Sequence, residues 1–190
     1  DATIPDQGGN DVELSVFEID SRTGYITKYT GSGGYVSLMN VTKINGVTVK
    51  GIGDGAFKDS AVTHVDIPAH ITYIGNNAFE NCTNLSSITF TNSSTNVTIG
   101  FRAFSGCTKL TNVTLPICKV VGQSAFENCT SLKKVIIPSG SLEIGTSCFF
   151  NCASYSEHRV FAAWFSIFAC FFIFFLSSKD ILYSLSRFLI

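Results

Sequence analysis

A pattern of apolar and polar positions returns about every two dozen residues along the middle of the chain. Residues 74–90, "IGNNAFENCTNLSSITF", show it once, and 99–115 and 121–137 repeat it. Each copy ends in a short segment where apolar side chains alternate with polar ones, which is typical of a half-buried β-strand. The Gly near the start of each copy supplies a tight turn of the backbone. The pattern therefore predicts one strand per repeat and a return segment around Gly and Ala-Phe.

Five phenylalanines set the register of this repeat. Their separations are 22, 25, 22 and 23 residues, and each has a Gly four positions before it. The five are Phe57, Phe79, Phe104, Phe126 and Phe149. The last four are each followed, three positions later, by a cysteine: Cys82, Cys107, Cys129 and Cys152. A fixed period of this length with an apolar-x-x-apolar-x-apolar segment predicts a leucine-rich-repeat solenoid, whose units stack because one unit cannot bury its apolar face alone.

The string Ile-Gly-x-x-Ala-Phe-x-x-Cys-x-x-Leu-x-x-Ile-x-Ile-Pro, spread over about residues 41–152, resembles the BspA-type leucine-rich repeat of bacterial and some protist surface proteins. Residues 24–53 are similar to the lead-in that often precedes the first such repeat. The resemblance implies a right-handed, curved parallel-β solenoid of about five coils of 22–25 residues. It also implies an extracellular or cell-surface module that binds proteins, such as host or extracellular-matrix proteins, and is not an enzyme.

The ends of a solenoid need cover, because an exposed sheet edge promotes aggregation. Residues 14–19, "LSVFEI", and 25–29, "YITKY", predict a β-hairpin around the turn "DSRTG". We assign residues 13–40 to this capping hairpin and its lead-in. The preceding residues 1–12 are predicted to be a flexible leader.

Residues 153–190 depart from the repeat and are predicted to form a hydrophobic, helical tail. Within them, residues 160–176, "VFAAWFSIFACFFIFFL", are almost wholly apolar. As a helix, this segment spans about 26 Å, at the lower edge of a bilayer core. Three interpretations stay open: a transmembrane helix that anchors the solenoid, a non-native sequence from a misread or truncated gene, and an apolar cap over the last coil.

Charge and cysteine spacing limit the chemistry that the chain can support. The net charge is −1, so no basic surface is predicted and nucleic acid is not an expected partner. A cysteine that recurs at one place in each coil forms a line at about 4.8 Å per coil, whereas zinc needs four converging ligands. We predict no metal and no cofactor. Buried free thiols are favoured, with disulfides between neighbouring coils as the alternative.

The outward residues of the repeat strands are the candidate binding site. They form two predicted columns, one of His64, Ser87, Asn112 and Lys134, and one of Asp66, Thr89, Thr114 and Ile136. His64, Asp66 and Ser87 are the residue types of a hydrolase triad, but an open sheet of short polar side chains supplies neither a pocket nor an oxyanion hole. The alternatives to adhesion are a membrane-tethered receptor ectodomain and a structural spacer whose outer face is merely soluble.

Overall fold

The computed structural model describes residues 3–4, 12–91, 96–138, 140–141 and 143–152. These residues form one 3₁₀-helix, Leu14–Val16, and a series of short strands. In chain order the strands are β1 (Thr3–Ile4), β2 (Val12–Glu13), β3 (Phe17–Ile19), β4 (Tyr25–Tyr29), β5 (Gly34–Ser37), β6 (Lys43–Ile44), β7 (Val47–Thr48), β8 (Gly51–Ile52), β9 (Val62–Ile67), β10 (Tyr73–Ile74), β11 (Ser87–Phe90), β12 (Val97–Ile99), β13 (Asn112–Thr114), β14 (Cys118–Val121), β15 (Lys134–Ile136) and β16 (Glu143–Ile144).

Two sheets run side by side along the stack of coils. One has five strands in the order β15-β13-β11-β9-β5, and the other has seven in the order β16-β14-β12-β10-β8-β4-β3. From β8 onward the chain alternates between the two sheets, and each strand pairs in parallel with strands from the neighbouring coils. This connectivity is a parallel-β solenoid. The fold class predicted from the repeat is therefore confirmed.

A column of aromatic rings fills the interior between the sheets. The rings of Phe57, Phe79, Phe104, Phe126 and Phe149 follow one another at 4.7–5.6 Å between centroids and are inclined by 8–18°. Phe79, Phe104 and Phe126 are fully buried. Stacked rings add specific attraction to the area that they bury. The recurring phenylalanine thus holds successive coils in register, as the repeat predicts.

The hairpin of β3 and β4 closes the N-terminal end of the seven-stranded sheet. It is antiparallel, β4 pairs in parallel with β8, and Tyr29 N–H donates to the Ala56 carbonyl over 2.7 Å. The Tyr29 ring lies 4.9 Å from that of Phe57 and so extends the aromatic column. The predicted hairpin is confirmed, but Leu14–Val16 is a 3₁₀-helix and not a strand. The strand pairing begins at Phe17 and Tyr29, and the Val16 carbonyl accepts from Thr30 N–H over 2.8 Å.

Much of the two predicted terminal segments lies outside the described residues. Of the leader, Thr3–Ile4 is described and pairs antiparallel with Val12–Glu13. The whole predicted tail 153–190, including the candidate span 160–176, is not described. Among the described residues there is no helix with the length and apolarity needed to cross a bilayer. The predicted division into 1–12, 13–40, 41–152 and 153–190 stays a prediction.

A small hairpin between β5 and β8 was not predicted. Strands β6 and β7 pair antiparallel around Asn45 and Gly46, whose φ angles are 50° and 81°. Asn-Gly is the preferred pair for a two-residue hairpin turn, since both positions need positive φ. The Asn-Gly dipeptide between Ile44 and Val47 is the sequence signal for this turn, but it lies within residues 41–152, which were predicted to be repeats.

The repeated glycine allows successive coils to pack closely. The sequence had predicted that this glycine makes a tight turn, and that prediction is wrong. The φ angle of Gly100 is not in the left-handed region. A Cβ on it would lie 2.6 Å from Asn76 N and 2.7 Å from Gly75 C in the preceding coil. Gly122 has the same relation to Gly100, at 2.5 Å. Glycine is needed here because the backbones of successive coils touch.

Around each repeated Phe, alternate backbone N–H groups donate to the next coil. Phe79 N–H donates to the Ala103 carbonyl of the next coil and Phe104 N–H to the Ala125 carbonyl, both over 2.7 Å. Phe79 lies between Asn77 and Asn81, whose φ angles are 54° and 59°. Asparagine tolerates this left-handed region better than most residues. The alternation turns every second N–H toward the next coil.

Candidate protein-binding face

The five-stranded sheet brings the first predicted column of residues together. Ser87 pairs with His64 on one side and with Asn112 on the other, and Asn112 pairs with Lys134. His64 and Asn112 are exposed, whereas Ser87 and Lys134 are half-buried. The side chains between them along each strand, such as Val65, point inward and are buried. The period-two pattern of the strands fixes this division between interior and surface.

The second predicted column lies beside the first. Asp66 pairs with Thr89, and Thr114 pairs with Ile136. Thr89 and Thr114 are exposed, and Asp66 and Ile136 are half-buried. We call the outward surface of the five-stranded sheet the polar face.

Two residues that the sequence analysis missed stand at the head of these columns. Tyr35 pairs with His64, and Ser37 pairs with Asp66, both across the junction of β5 and β9. The signal was present, because Val36 and Leu38 in "GYVSL" match the buried Val and Ile of the next strand. Residues 34–37 fall within the predicted hairpin and lead-in, 13–40, so the two predicted columns did not include them. Tyr35, which is 37% exposed, adds an aromatic side chain to the polar face.

The Tyr35 side chain is held in place by its neighbours. Its hydroxyl donates to Asp66 Oδ2, and its ring centroid lies 6.4 Å from that of His64 at an angle of 60°. The His64 ring is itself positioned by Thr63 Oγ1, 3.1 Å from Nδ1. An aromatic side chain that is already ordered loses little entropy on binding, which favours it as a contact residue.

The triad residues do not form a catalytic arrangement. The Asp66 carboxylate accepts from Tyr35, and His64 Nε2 lies 3.5 Å from Ser86 Oγ. Among the described residues no hydrogen bond joins Asp66 to His64 or His64 to Ser87. A serine nucleophile needs both links.

The opposite end of the polar face is basic. Lys133 is exposed and Lys134 half-buried on β15 and its approach. The ion pairs among the described residues involve neither of them. Lys109, one coil earlier, donates to Asn84 Oδ1 over 2.7 Å. The positive charge at this end is therefore not neutralised by a described carboxylate.

The cysteine column lies in the interior and carries hydrogen bonds between coils. Cys82, Cys107, Cys129 and Cys152 are free thiols, and each donates to the carbonyl of the Phe in the preceding coil over 3.0–3.3 Å. Burial raises the pKa of the Cys107 thiol well above its usual value. The described His, Cys, Asp and Glu residues contain no group of three that could hold a metal. The cysteine thus fills space, as interpreted from the sequence, and in addition links coils.

A chain of charged side chains runs along the return segments, away from the polar face. Lys58 Nζ lies 2.7 Å from Glu80 Oε2, and Arg102 contacts both Glu80 and Glu127, at 3.8 and 3.3 Å. The hydrogen bond to Glu80 is the main reason that the pKa of Lys58 is raised. Lys58, Glu80 and Glu127 each follow the repeated Phe directly, but Arg102 lies two positions before its Phe, so the repeat pattern did not reveal the whole chain. It joins four coils at a surface where each ion pair contributes little.

The family follows from a comparison with known repeats. Residues 50–173 match the family described as BspA type Leucine rich repeat region, in six copies. The chain belongs to the BspA-type leucine-rich-repeat family. The resemblance noted in the sequence is thereby confirmed. No curated protein matches this BspA-type chain significantly.

Solved structures share the fold of this BspA-type chain. The leucine-rich-repeat protein TpLRR of T. pallidum is 28% identical, with a TM-score of 0.65 over 76% of this chain and 70% of TpLRR. A leucine-rich-repeat protein of Bacteroides ovatus is 28% identical, with a TM-score of 0.57 over 73% of this chain and 39% of that protein. The pneumococcal vaccine antigen PcpA is 21% identical, with a TM-score of 0.50 over 68% of this chain and 40% of PcpA. At this identity the comparison supports the fold alone.

Proposed function

We propose that this chain is a cell-surface protein-interaction and adhesion module that binds a partner protein through the polar face. The observation that carries the proposal is the column that begins at Tyr35 and continues through His64, Ser87, Asn112 and Lys134 in register. It places an ordered aromatic side chain at one end of a row of hydrogen-bonding groups. This row lies on a rigid sheet backed by the buried aromatic column.

Binding by such a surface sums many modest contacts. A hydrogen bond contributes about 0.5–1.5 kcal/mol net, and an aromatic anchor contributes about 2 kcal/mol or more when it is fully desolvated. The side chains of the polar face stand on parallel strands about 4.8 Å apart, so one partner can contact several coils. Because the sheet already holds these groups in position, little entropy is lost on binding.

Membership of the BspA-type family supports display at the cell surface. Host-cell or extracellular-matrix proteins are accordingly the partners that we propose. The contacts of His64 and Asp66 agree with a role in binding rather than catalysis. His64 Nε2 lies near Ser86 Oγ, and the Asp66 carboxylate accepts from the Tyr35 hydroxyl.

The test is an adhesion assay with the purified chain on immobilised matrix proteins and intact host cells. The polar-face variant Y35A/T89A/N112A changes three exposed residues of the proposed site. A matched control, T27A/T72A/K119A, changes three exposed residues that lie elsewhere. We expect saturable binding by the native chain, about a tenfold or larger loss in the polar-face variant, and native binding by the control.

Two results would contradict the proposal. Equal losses in both variants would show that the polar face is not the contact surface. Absence of binding to every cell and matrix protein would favour the structural spacer. Circular dichroism of each variant checks that the fold is retained.

A further inference from the structure

The polar face has an apolar contact surface at its N-terminal end. Tyr35 and Met39 are each 37% exposed, and they are two of the four large hydrophobic side chains that are exposed among the described residues. Tyr35 lies on β5 opposite His64, and Met39 follows two residues after the end of that strand, with Val36, Ser37 and Leu38 between them buried. Met adapts its shape to varied partners, and Tyr supplies a rigid ring. This end suits an apolar or aromatic side chain.

The other end of the same face suits a carboxylate. Lys133 and Lys134 are adjacent in sequence, and none of the ion pairs of the described residues includes either of them. The carboxylate on the face, Asp66, belongs to β9 near the opposite end and accepts a hydrogen bond from Tyr35. The face is therefore polarised along the stack, with its positive charge confined to the last described coils.

The distance between the two ends fixes the length of a partner segment. Tyr35 is on β5 and Lys134 on β15, which are the first and last strands of the five-stranded sheet. Four strand spacings of about 4.8 Å separate them, or about 19 Å. An extended polypeptide rises about 3.3 Å per residue and covers this distance in about six residues.

We propose that the polar face binds an extended polypeptide segment that crosses the strands, with an apolar or aromatic residue at Tyr35 and Met39 and an acidic residue about six positions away at Lys133 and Lys134. This inference rests on the proposed function and specifies the chemistry of its partner. The intervening His64, Ser87 and Asn112 present donors and acceptors to the segment. An acidic glycan would use the lysines and could stack a sugar ring on Tyr35, but it would leave Met39 without an apolar side chain to contact, so a polypeptide fits better.

The test is selection from a displayed library of random peptides against the folded chain. Enriched peptides are expected to carry an aromatic or large apolar residue and an Asp or Glu about six positions apart. Their binding should weaken as salt is added, since exposed charges are screened. Selection against K133E/K134E should replace Asp and Glu by Lys and Arg, and an enriched acidic peptide should bind this variant about tenfold or more weakly.

A charge-matched control separates local contact from net charge. K43E/K119E makes the same charge change at two exposed lysines outside the polar face, and it should select the same peptides as the native chain. Y35S/M39S should lose the preference for the apolar residue and keep that for the acid. The inference is overturned if no peptide is enriched, if enriched peptides lack an acidic residue, or if K43E/K119E and K133E/K134E behave alike.

The adhesion assay distinguishes this failure from failure of the proposed function. If K133E/K134E binds matrix or cells as the native chain does while Y35A/T89A/N112A does not, the face still binds proteins but the acidic contact is wrong. If no variant differs from the native chain in adhesion but peptides are selected as expected, the peptide-binding site is supported. The proposed role of the polar face in adhesion is then contradicted.

Discussion

Cys107 donates its thiol hydrogen to the Phe79 carbonyl of the preceding coil, over 3.3 Å. The same carbonyl accepts the N–H of Cys82 in its own coil, over 3.2 Å. One acceptor thus serves a turn within a coil and a bond between coils. Because a carbonyl oxygen has two lone pairs, both bonds form without competition.

We predict that C107A weakens the coupling between coils. It removes a hydrogen bond that contributes about 0.5–1.5 kcal/mol and a buried sulfur, for a total loss of about 1–3 kcal/mol in unfolding free energy. The control is C118A, because Cys118 is equally buried but bonds to Pro116 two residues away. Hydrogen exchange should show the coils on either side of Cys107 losing their common protection in C107A alone. Identical exchange in both variants would contradict a linking role for the thiol.

The second prediction concerns stability at high pH. Burial raises the pKa of Cys82 and of Cys118, the latter to about 12. An unfolded thiol ionises near pH 8.5, so above that pH the folded state holds more protons than the unfolded state. Stability is therefore fully present below about pH 8.5 and falls as pH rises toward the folded pKa, by about 1.4 kcal/mol per pH unit for each such thiol.

Urea unfolding at a series of pH values measures this slope. Tyr29 and Tyr73, whose pKa values burial also raises, act in the same direction at higher pH. The contribution of Cys118 is isolated by C118A, which should reduce the slope between about pH 9 and pH 12 by about 1.4 kcal/mol per unit. If the slope is unchanged in C118A, the Cys118 thiol ionises as easily in the folded chain as in the unfolded chain, which would contradict the prediction.

The third prediction separates two uses of glycine. G100A places a Cβ 2.6 Å from Asn76 N, so the two coils must move apart. We expect this change to lower the free energy of unfolding by about 3 kcal/mol. Gly46 has no atom within 4 Å of that position but has a φ of 81°. G46A should therefore cost only the backbone term of about 1–2 kcal/mol. Thermal or urea unfolding provides both values, and equal losses would argue against contact between coil backbones.

The fourth prediction tests the aromatic column. F104A removes a ring that is fully buried and stacked on both sides, at 5.1 Å from Phe79 and Phe126. We expect a loss of about 3–5 kcal/mol, with neighbouring coils losing hydrogen-exchange protection together. F150A is the matched control, since Phe150 is 55% exposed and its removal should change stability by about 0.5 kcal/mol or less. Independent opening of each coil in the native chain would contradict the stacked core.

The core was predicted well from the sequence because the same positions are buried in the same environment in every coil. Phe79, Phe104 and Phe126 face one environment, and only a large apolar ring satisfies it. The second sheet was harder to predict. In the seven-stranded sheet, the repeat strands β8, β10, β12, β14 and β16 contain two to four residues each. Such strands are too short for an alternation of apolar and polar residues to show.

The surface was predicted less completely, because its contacts join residues far apart in sequence. The columns from His64 to Lys134 followed from the period, yet Tyr35 was missed since β5 precedes the first Gly-Ala-Phe unit. Its bond to Asp66 spans 31 positions. The ion pairs of Arg102 depend on side-chain reach between coils, and a linear pattern does not contain that information.

The hydrogen bonds that join the return segment around each repeated Phe to the neighbouring coils have an evolutionary consequence. A coil such as that of Phe104 offers acceptors to the unit behind it and donors to the unit ahead, so it is complementary to a copy of itself. Duplication of a single unit in the gene therefore adds one junction of the same kind as the existing ones. Length can vary between relatives without any new interface having to arise.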